Sequence, residues 1–177
     1  MPQSTQRAMR RKDRELSREE TLTVIRHTPH CAIATVDESG TPYATPITAV
    51  LFEGAVYFHS SSDVTGRRYQ NTLQNDKVSI VWIGRGETAA DELPKDFSVN
   101  YASAIVEGRI SLVTDEGEKK RVAKAFCLRH VPQAGEEAID KYYAAGGKYV
   151  VFWKVTIDSL SGKARNKQGY FNRILAV

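Results

Sequence analysis

Between residues 30 and 60 the chain reads HCAIATVDESGTPYATPITAVLFEGAVYFHS, short apolar runs broken twice by turn-forming residues. The pattern predicts three strands, at His30–Val36, Pro42–Phe52 and Ala55–Ser60. They are joined by a turn over residues 37–40 and a two-residue loop at Glu53-Gly54. Pro42 and Pro46 cannot donate to a ladder, so the second strand should be an edge, or bend, near them. Ahead of this run, Ser17 and Glu20 have capping-box spacing, Leu22 and Ile25 follow at helical spacing, and Pro29 ends the helix. Beyond it the pattern predicts a short helix over 65–75 and a strand over 77–84, with Ile80 and Trp82 on one face. A polar loop is expected over 85–96, then a long strand over 97–113 with a bulge at Gly108. Asp115 and Glu118 should cap a helix reaching His130, with Val122, Ala125 and Phe126 inward. A second helix is expected over 136–145, a last strand over 148–162, and a polar tail after it. Sequential hairpins rather than strand–helix–strand units imply a mainly β fold, an antiparallel barrel of six strands with helices packed outside.

Composition changes little in that picture. With 177 residues, 41% hydrophobic and 26% charged, the chain suits one domain with a sizeable core. The net charge of +4 is confined to one place. Residues 1–18 hold six cations and two acids, which leaves 19 Lys and Arg against 19 Asp and Glu in the rest. The basic segment therefore reads as an arm over 1–15, either a solvated tail or an element that clasps nucleic acid or a second subunit. The domain proper is expected over 16–165 and the tail over 166–177. No apolar run approaches the roughly 20 residues of a membrane span, and the N-terminus lacks an apolar leader core. Cys31 and Cys127 are expected as reduced thiols, as in a cytoplasmic protein.

The stretch VYFHSSSDVTGRRYQN, residues 56–71, carries the candidate chemistry. Ser60, Ser61 and Ser62 offer hydroxyls, Gly66 permits close backbone approach, and the following helix directs free N–H groups toward an anion. Arg67 and Arg68 can form charge-assisted, bidentate bonds to phosphate. Two readings stay open from the residues alone: a phosphate cradle, or a polar loop whose serines cap the helix and whose arginines are solvated. Asp63 opposes the first unless it points away. His59, at the strand end, shares a face with Tyr57 and opposes Val56 and Phe58. Neither His27/His30 nor Cys127/His130 has a second half with ligand spacing, so no metal site is expected. A nucleic-acid module would need exposed aromatics in a basic field, and the charge-neutral body argues against it.

In this order the segments MRRKDREL, residues 34–84, NYASAIVEGRISLV and SGKA resemble the FMN-binding split β-barrel proteins related to pyridoxamine 5′-phosphate oxidase, in particular the nitroimidazole-resistance (Nim) group. The resemblance implies a Greek-key split barrel, a homodimer and two FMN sites at the subunit interface. It places the phosphate at Ser60, Ser61, Gly66, Arg67 and Arg68, and the edge of the flavin ring along Pro46, Ile47 and Thr48. The partner subunit would contribute Tyr101, Ser103 and Lys163. His59 would lie close to the flavin as the candidate catalytic residue. The implied activity is reduction of small nitroaromatic compounds such as nitroimidazoles, using a reduced electron donor. The Arg67-Arg68 pair departs from the lysine or histidine common in relatives, and the pyridoxal-phosphate residues of the oxidase are not recognisable. The rivals are a flavin-, F420- or haem-binding accessory protein of the same fold, and an oxidase-like enzyme.

Overall fold

The structure is a computed structural model that describes residues 8–90, 92–93, 95–146 and 149–175. The first seven residues of the basic arm and residue 148, where the last strand was expected to begin, lie outside the described residues. The elements are α1 (Arg18–His27), β1 (His30–Val36), β2 (Pro42–Phe52), β3 (Ala55–Ser60), α2 (Arg67–Gln74), β4 (Lys77–Ala89), β5 (Ser98–Leu112), α3 (Glu116–His130), α4 (Gly135–Ala145), β6 (Val151–Arg165) and α5 (Lys167–Leu175). All strand pairs are antiparallel, and the ring closes in the order β1-β2-β3-β6-β5-β4. β4 returns to lie beside β1 after the β1–β2–β3 meander, which is the Greek-key arrangement. This is the mainly β barrel with flanking helices that the hairpin pattern implies.

β2 pairs with β1 along residues 42–48, but with β3 only from Ala49 to Phe52. The prolines therefore mark a half-strand whose β3-side edge is open, as their missing donors require. That open edge is where the barrel is split.

Strand alternation divides the core in two. Ile33, Val56, Phe58, Ile80, Trp82, Val106 and Val155 point inward and are almost fully buried. Val50, Tyr57 and Phe152 point outward and are covered by Val122 and Ala123 of α3. Ala123 takes the inward place expected of Ala125. The Tyr57 hydroxyl donates to Glu118 at 2.8 Å, and the Lys154 ammonium donates to the same carboxylate oxygen at 2.9 Å. α3 is thus tied to the barrel by a satisfied polar trio as well as by apolar contact.

α1 begins with the predicted capping box: the Ser17 N–H donates to Glu20 Oε2 at 2.8 Å and the Glu20 N–H donates to Ser17 Oγ at 3.2 Å. Its buried face is Thr21, Val24 and Ile25 rather than Leu22 and Ile25. Thr21 can face inward because its hydroxyl donates to Ser17 O and because Gly162 opposite has no side chain.

Three expectations are corrected. β4 continues to Ala89, so the first part of the expected 85–96 loop is strand, kept in register with β5 through a bulge at Ile83/Arg85. β6 extends to Arg165, because the bulge at Glu107/Gly108 lets it stay paired with β5 up to Tyr101. The expected polar tail contains α5, whose Tyr170 is buried in the barrel core. One aromatic anchor in a polar stretch defeats a reading by average polarity. Tyr170→Ala should cost about 3–5 kcal/mol, seen as a fall in Tm of roughly 2–4 °C per kcal/mol in a thermal melt. An unchanged melting curve would mean that α5 contributes no packing energy.

Candidate functional site

The seam between β3 and α2 opens into a groove of about 210 Å³ lined by Ser60, Ser61, Asp63, Gly66, Arg68, Tyr69 and Trp153. A second cavity of about 350 Å³ is lined by His30, Pro46, Ile47, Thr48, His59 and Arg68. Arg68 belongs to both, so the two are halves of one cleft that follows the open edge of β2.

Arg68 is the centre of this site. It lies 5.2 Å from the Phe58 ring centroid and donates to Thr45 Oγ1 at 3.2 Å. No carboxylate pairs with it among the described residues. Burial pushes its pKa below the ordinary arginine value, although a guanidinium stays protonated under any ordinary condition. A half-buried, permanent cation without a counter-ion, facing a polar groove, suits an anion.

Arg67 goes elsewhere. One residue along a helix turns the side chain by about 100°, and Arg67 stacks 4.6 Å over Tyr43 and pairs with Asp37 at 3.4 Å. The arginine pair, expected to act together on phosphate, is divided between the cleft and the β1–β2 turn.

The serines are positioned by the chain itself. Trp153 Nε1 donates to Ser60 Oγ at 2.9 Å, and that hydroxyl donates to Ser61 O at 3.0 Å. Ser61 Oγ accepts from the Asp63 N–H at 3.1 Å. Asp63 accepts from both the N–H and the hydroxyl of Thr65, at 2.8 and 2.6 Å, and these bonds hold its carboxyl below the usual range. Asp63 is therefore a turn-former whose charge is already satisfied. Gly66 has an ordinary φ of −59°, and a Cβ there would meet only Asp63 O, at 3.7 Å. The backbone does not demand glycine at this point.

His59 lies on the outer face, as alternation requires, with its ring edge-on to Phe126 of α3 at 4.8 Å. It makes no hydrogen bond among the described residues. Burial first, and then the charge of Arg68, hold its pKa below the ordinary histidine value, so the ring is neutral at pH 7. Pro46, Ile47 and Thr48 line the same half of the cleft.

Tyr101, Ser103 and Lys163 do not line the cleft of their own chain. Ser103 and Lys163 are register partners on β5 and β6, with Ser103 Oγ donating to Lys163 O at 3.5 Å. Arg14 stacks 5.9 Å from the Tyr101 ring centroid, and Glu15 bridges Lys163. The last part of the basic arm is thus seated against these residues. Sequence reasoning missed His30, Thr45 and Trp153 as cleft residues. His30 was within reach, because the register of the β1–β2 hairpin sets it opposite Thr48. Trp153 was not, because β6 meets β3 only when the barrel closes.

A closed Greek-key barrel with a half-open second strand and a cationic cleft on that edge defines the split-barrel class. The family model for pyridoxamine 5′-phosphate oxidase matches residues 17–164, and the chain belongs to that family. Among solved structures the chain is similar to a candidate 5-nitroimidazole antibiotic resistance protein from Bacteroides thetaiotaomicron (TM-score 0.70, 19% identity, covering 84% of this chain and 85% of that one). It is similar to the flavocytochrome Anf3 from Azotobacter vinelandii (TM-score 0.70, 20% identity, 85% and 68% covered). It is also similar to the heme storage protein HutZ from Vibrio cholerae (TM-score 0.57, 20% identity, 81% and 92% covered). At these identities the likeness establishes the fold. No curated protein matches the chain.

Proposed function

We propose that the protein is an FMN-dependent oxidoreductase, a cytoplasmic homodimer that reduces small nitroaromatic compounds such as nitroimidazoles with electrons from a reduced nicotinamide or another reduced carrier. The observation that carries this reading is Arg68, a half-buried cation without a carboxylate partner where the Ser60–Ser61 groove meets the open edge of β2. Membership of the oxidase family and the similarity to the Bacteroides protein support it.

The residues fit FMN. Arg68, the serine loop and the start of α2 would hold the phosphate, and Arg67 would reach it only by leaving Asp37. The backbone edge of β2 at Pro46, Ile47 and Thr48 that β3 leaves open would meet the polar edge of the ring. Tyr101, Ser103 and Lys163 would come from the second subunit. Ile83, Phe97, Val99 and Ile105 of the β4–β5 region are exposed and supply apolar surface for that contact. When bound, FMN supplies hydride and electron transfer, while the protein binds, orients and tunes. His59, without a hydrogen bond among the described residues, would stabilise developing negative charge through its ring N–H, or donate a proton when a bound anion keeps it protonated.

A visible spectrum tests the reading. Flavin absorption that persists on purification, or appears when FMN is added, supports it; a colourless protein that refuses FMN sinks it. Haem is the second reading, favoured by the two imidazoles of the cleft and by haem in the names of similar proteins. A Soret band would choose it. His59→Ala should keep full flavin content and lower kcat by about 10²–10⁴ if the imidazole is a general acid. Unchanged turnover on every accepted substrate would remove that role.

A further inference from the structure

Elsewhere, among the described residues, many of the cations are matched by acids. Arg67 pairs with Asp37, Arg109 with Asp76, Arg121 with Glu53, Lys124 with Glu136 and Lys154 with Glu118. The half of the cleft beyond Arg68 differs. Its lining brings His30 from β1, His59 from β3 and Arg68 from α2 around Pro46, Ile47 and Thr48, and contains no acid.

The groups packed around it are of the same kind. From α3 come Arg129, His130 and the apolar Phe126, whose ring lies 4.8 Å from His59 and 4.6 Å from His130. From β6 comes Phe152, 6.4 Å from His59. Arg129 spends one N–H on Arg26 O. His30 Nδ1 lies 3.4 Å from Thr48 Oγ1, which leaves Nε2 for a ligand, and His59 has both ring nitrogens free. Nε2 of His130 is buried without a partner. Among the described residues no three His, Cys, Asp or Glu side chains come close enough to hold a metal ion.

We propose that this end of the cleft is a proton-linked anion site, in which His30 and His59, beside Arg68, select aromatic substrates bearing a carboxylate or a similar delocalised anion over neutral ones. The proposal names a substrate class for the same site and rests on the flavin reading, in which the phosphate takes Arg68, the ring edge runs along Pro46, Ile47 and Thr48, and the two imidazoles are left to the substrate. Five cationic or protonatable groups with no carboxylate among them repel protons while the site is empty. Burial and then Arg68 hold His59 below its ordinary pKa, and burial and then Arg129 do the same for His130. A bound carboxylate supplies the missing charge and raises the imidazole pKa. Binding therefore takes up a proton. Affinity rises as pH falls from the bound-state value to the free-state value, which lies below the ordinary 6.5 of histidine, and levels off beneath it.

The test is calorimetric titration of the FMN-loaded protein with 4-nitrobenzoate and with neutral 4-nitrobenzamide, at about pH 7.5 and about pH 5.5, in buffers of different ionisation enthalpy. Nitrobenzoate should bind about five- to tenfold tighter at the lower pH with uptake of close to one proton. Nitrobenzamide should show neither effect. His30→Gln should weaken nitrobenzoate about three- to tenfold at the lower pH, while the flavin spectrum stays unchanged. Equal affinities for the two ligands without proton uptake, or an unaffected His30→Gln, overturn the proposal. A protein that binds no flavin counts against the proposed function instead. Nitrobenzoate titration of the flavin-free protein then decides the anion site by the same criteria.

Discussion

Arg68→Ala should weaken FMN binding by about ten- to a hundredfold, the range expected for losing a charge-assisted bond in a half-buried site. Arg67→Ala should change it by about threefold or less, since an exposed ion pair is worth about 1 kcal/mol at most. The contrast follows from where the two guanidinium groups go. Arg68 lies in both halves of the cleft with no carboxylate against it, whereas Arg67 is spent on Asp37 and the face of Tyr43. Retained flavin per protein, read from the visible spectrum, and titration of the flavin-free protein by fluorescence quenching measure both. Equal losses for the two variants would mean that Arg67 leaves Asp37 when FMN binds. An unaffected Arg68→Ala would place the phosphate somewhere else.

Gly108→Ala should destabilise the fold by about 3 kcal/mol or more, near the upper end for overpacking in a core. A Cβ at Gly108 would sit 2.1 Å from Thr156 O and 3.0 Å from Val155 Cγ1. The first of these is backbone of the neighbouring strand, which cannot rotate aside. Relief would require β6 to move away from β5 at the bulge that keeps the two in register. Chemical denaturation should show the loss directly, and the melting temperature should fall by about 6–12 °C. Gly86→Ala on the same sheet is the control. Its Cβ would meet only Ile83 Cγ2, at 4.0 Å, so its effect should stay within about 0.5 kcal/mol. Equal effects for the two glycines would show that the bulge can open without cost.

The site was partly legible for a local reason. His59, Ser60, Ser61 and Arg68 lie within ten residues of one another, at a strand end and a helix start that patterning locates. Pro46, Ile47 and Thr48 were reachable because proline reports an open edge through its own chemistry. The division of Arg67 from Arg68 was not visible, because composition counts cations but not the partners that claim them. Asp63 looked like an obstacle for the same reason, and its two bonds from Thr65 remove it. Trp153, which supports Ser60, is 93 positions away and meets it only across the β3–β6 pairing.

By itself the sequence determined the hairpins, the capping box of α1 and the Asp115 cap of α3, the alternation of inward and outward faces and the bulge at Gly108. Each of these is a contest among residues a few positions apart, decided by backbone chemistry and a fixed period. Tertiary structure alone decided which strands meet to close the ring, that Tyr170 draws the polar C-terminal stretch into the core, and that His30 joins His59 and Arg68 around one cleft. Those outcomes depend on burial and on pairings far apart in the chain, where many partners satisfy the same local pattern and only packing of the whole barrel chooses among them.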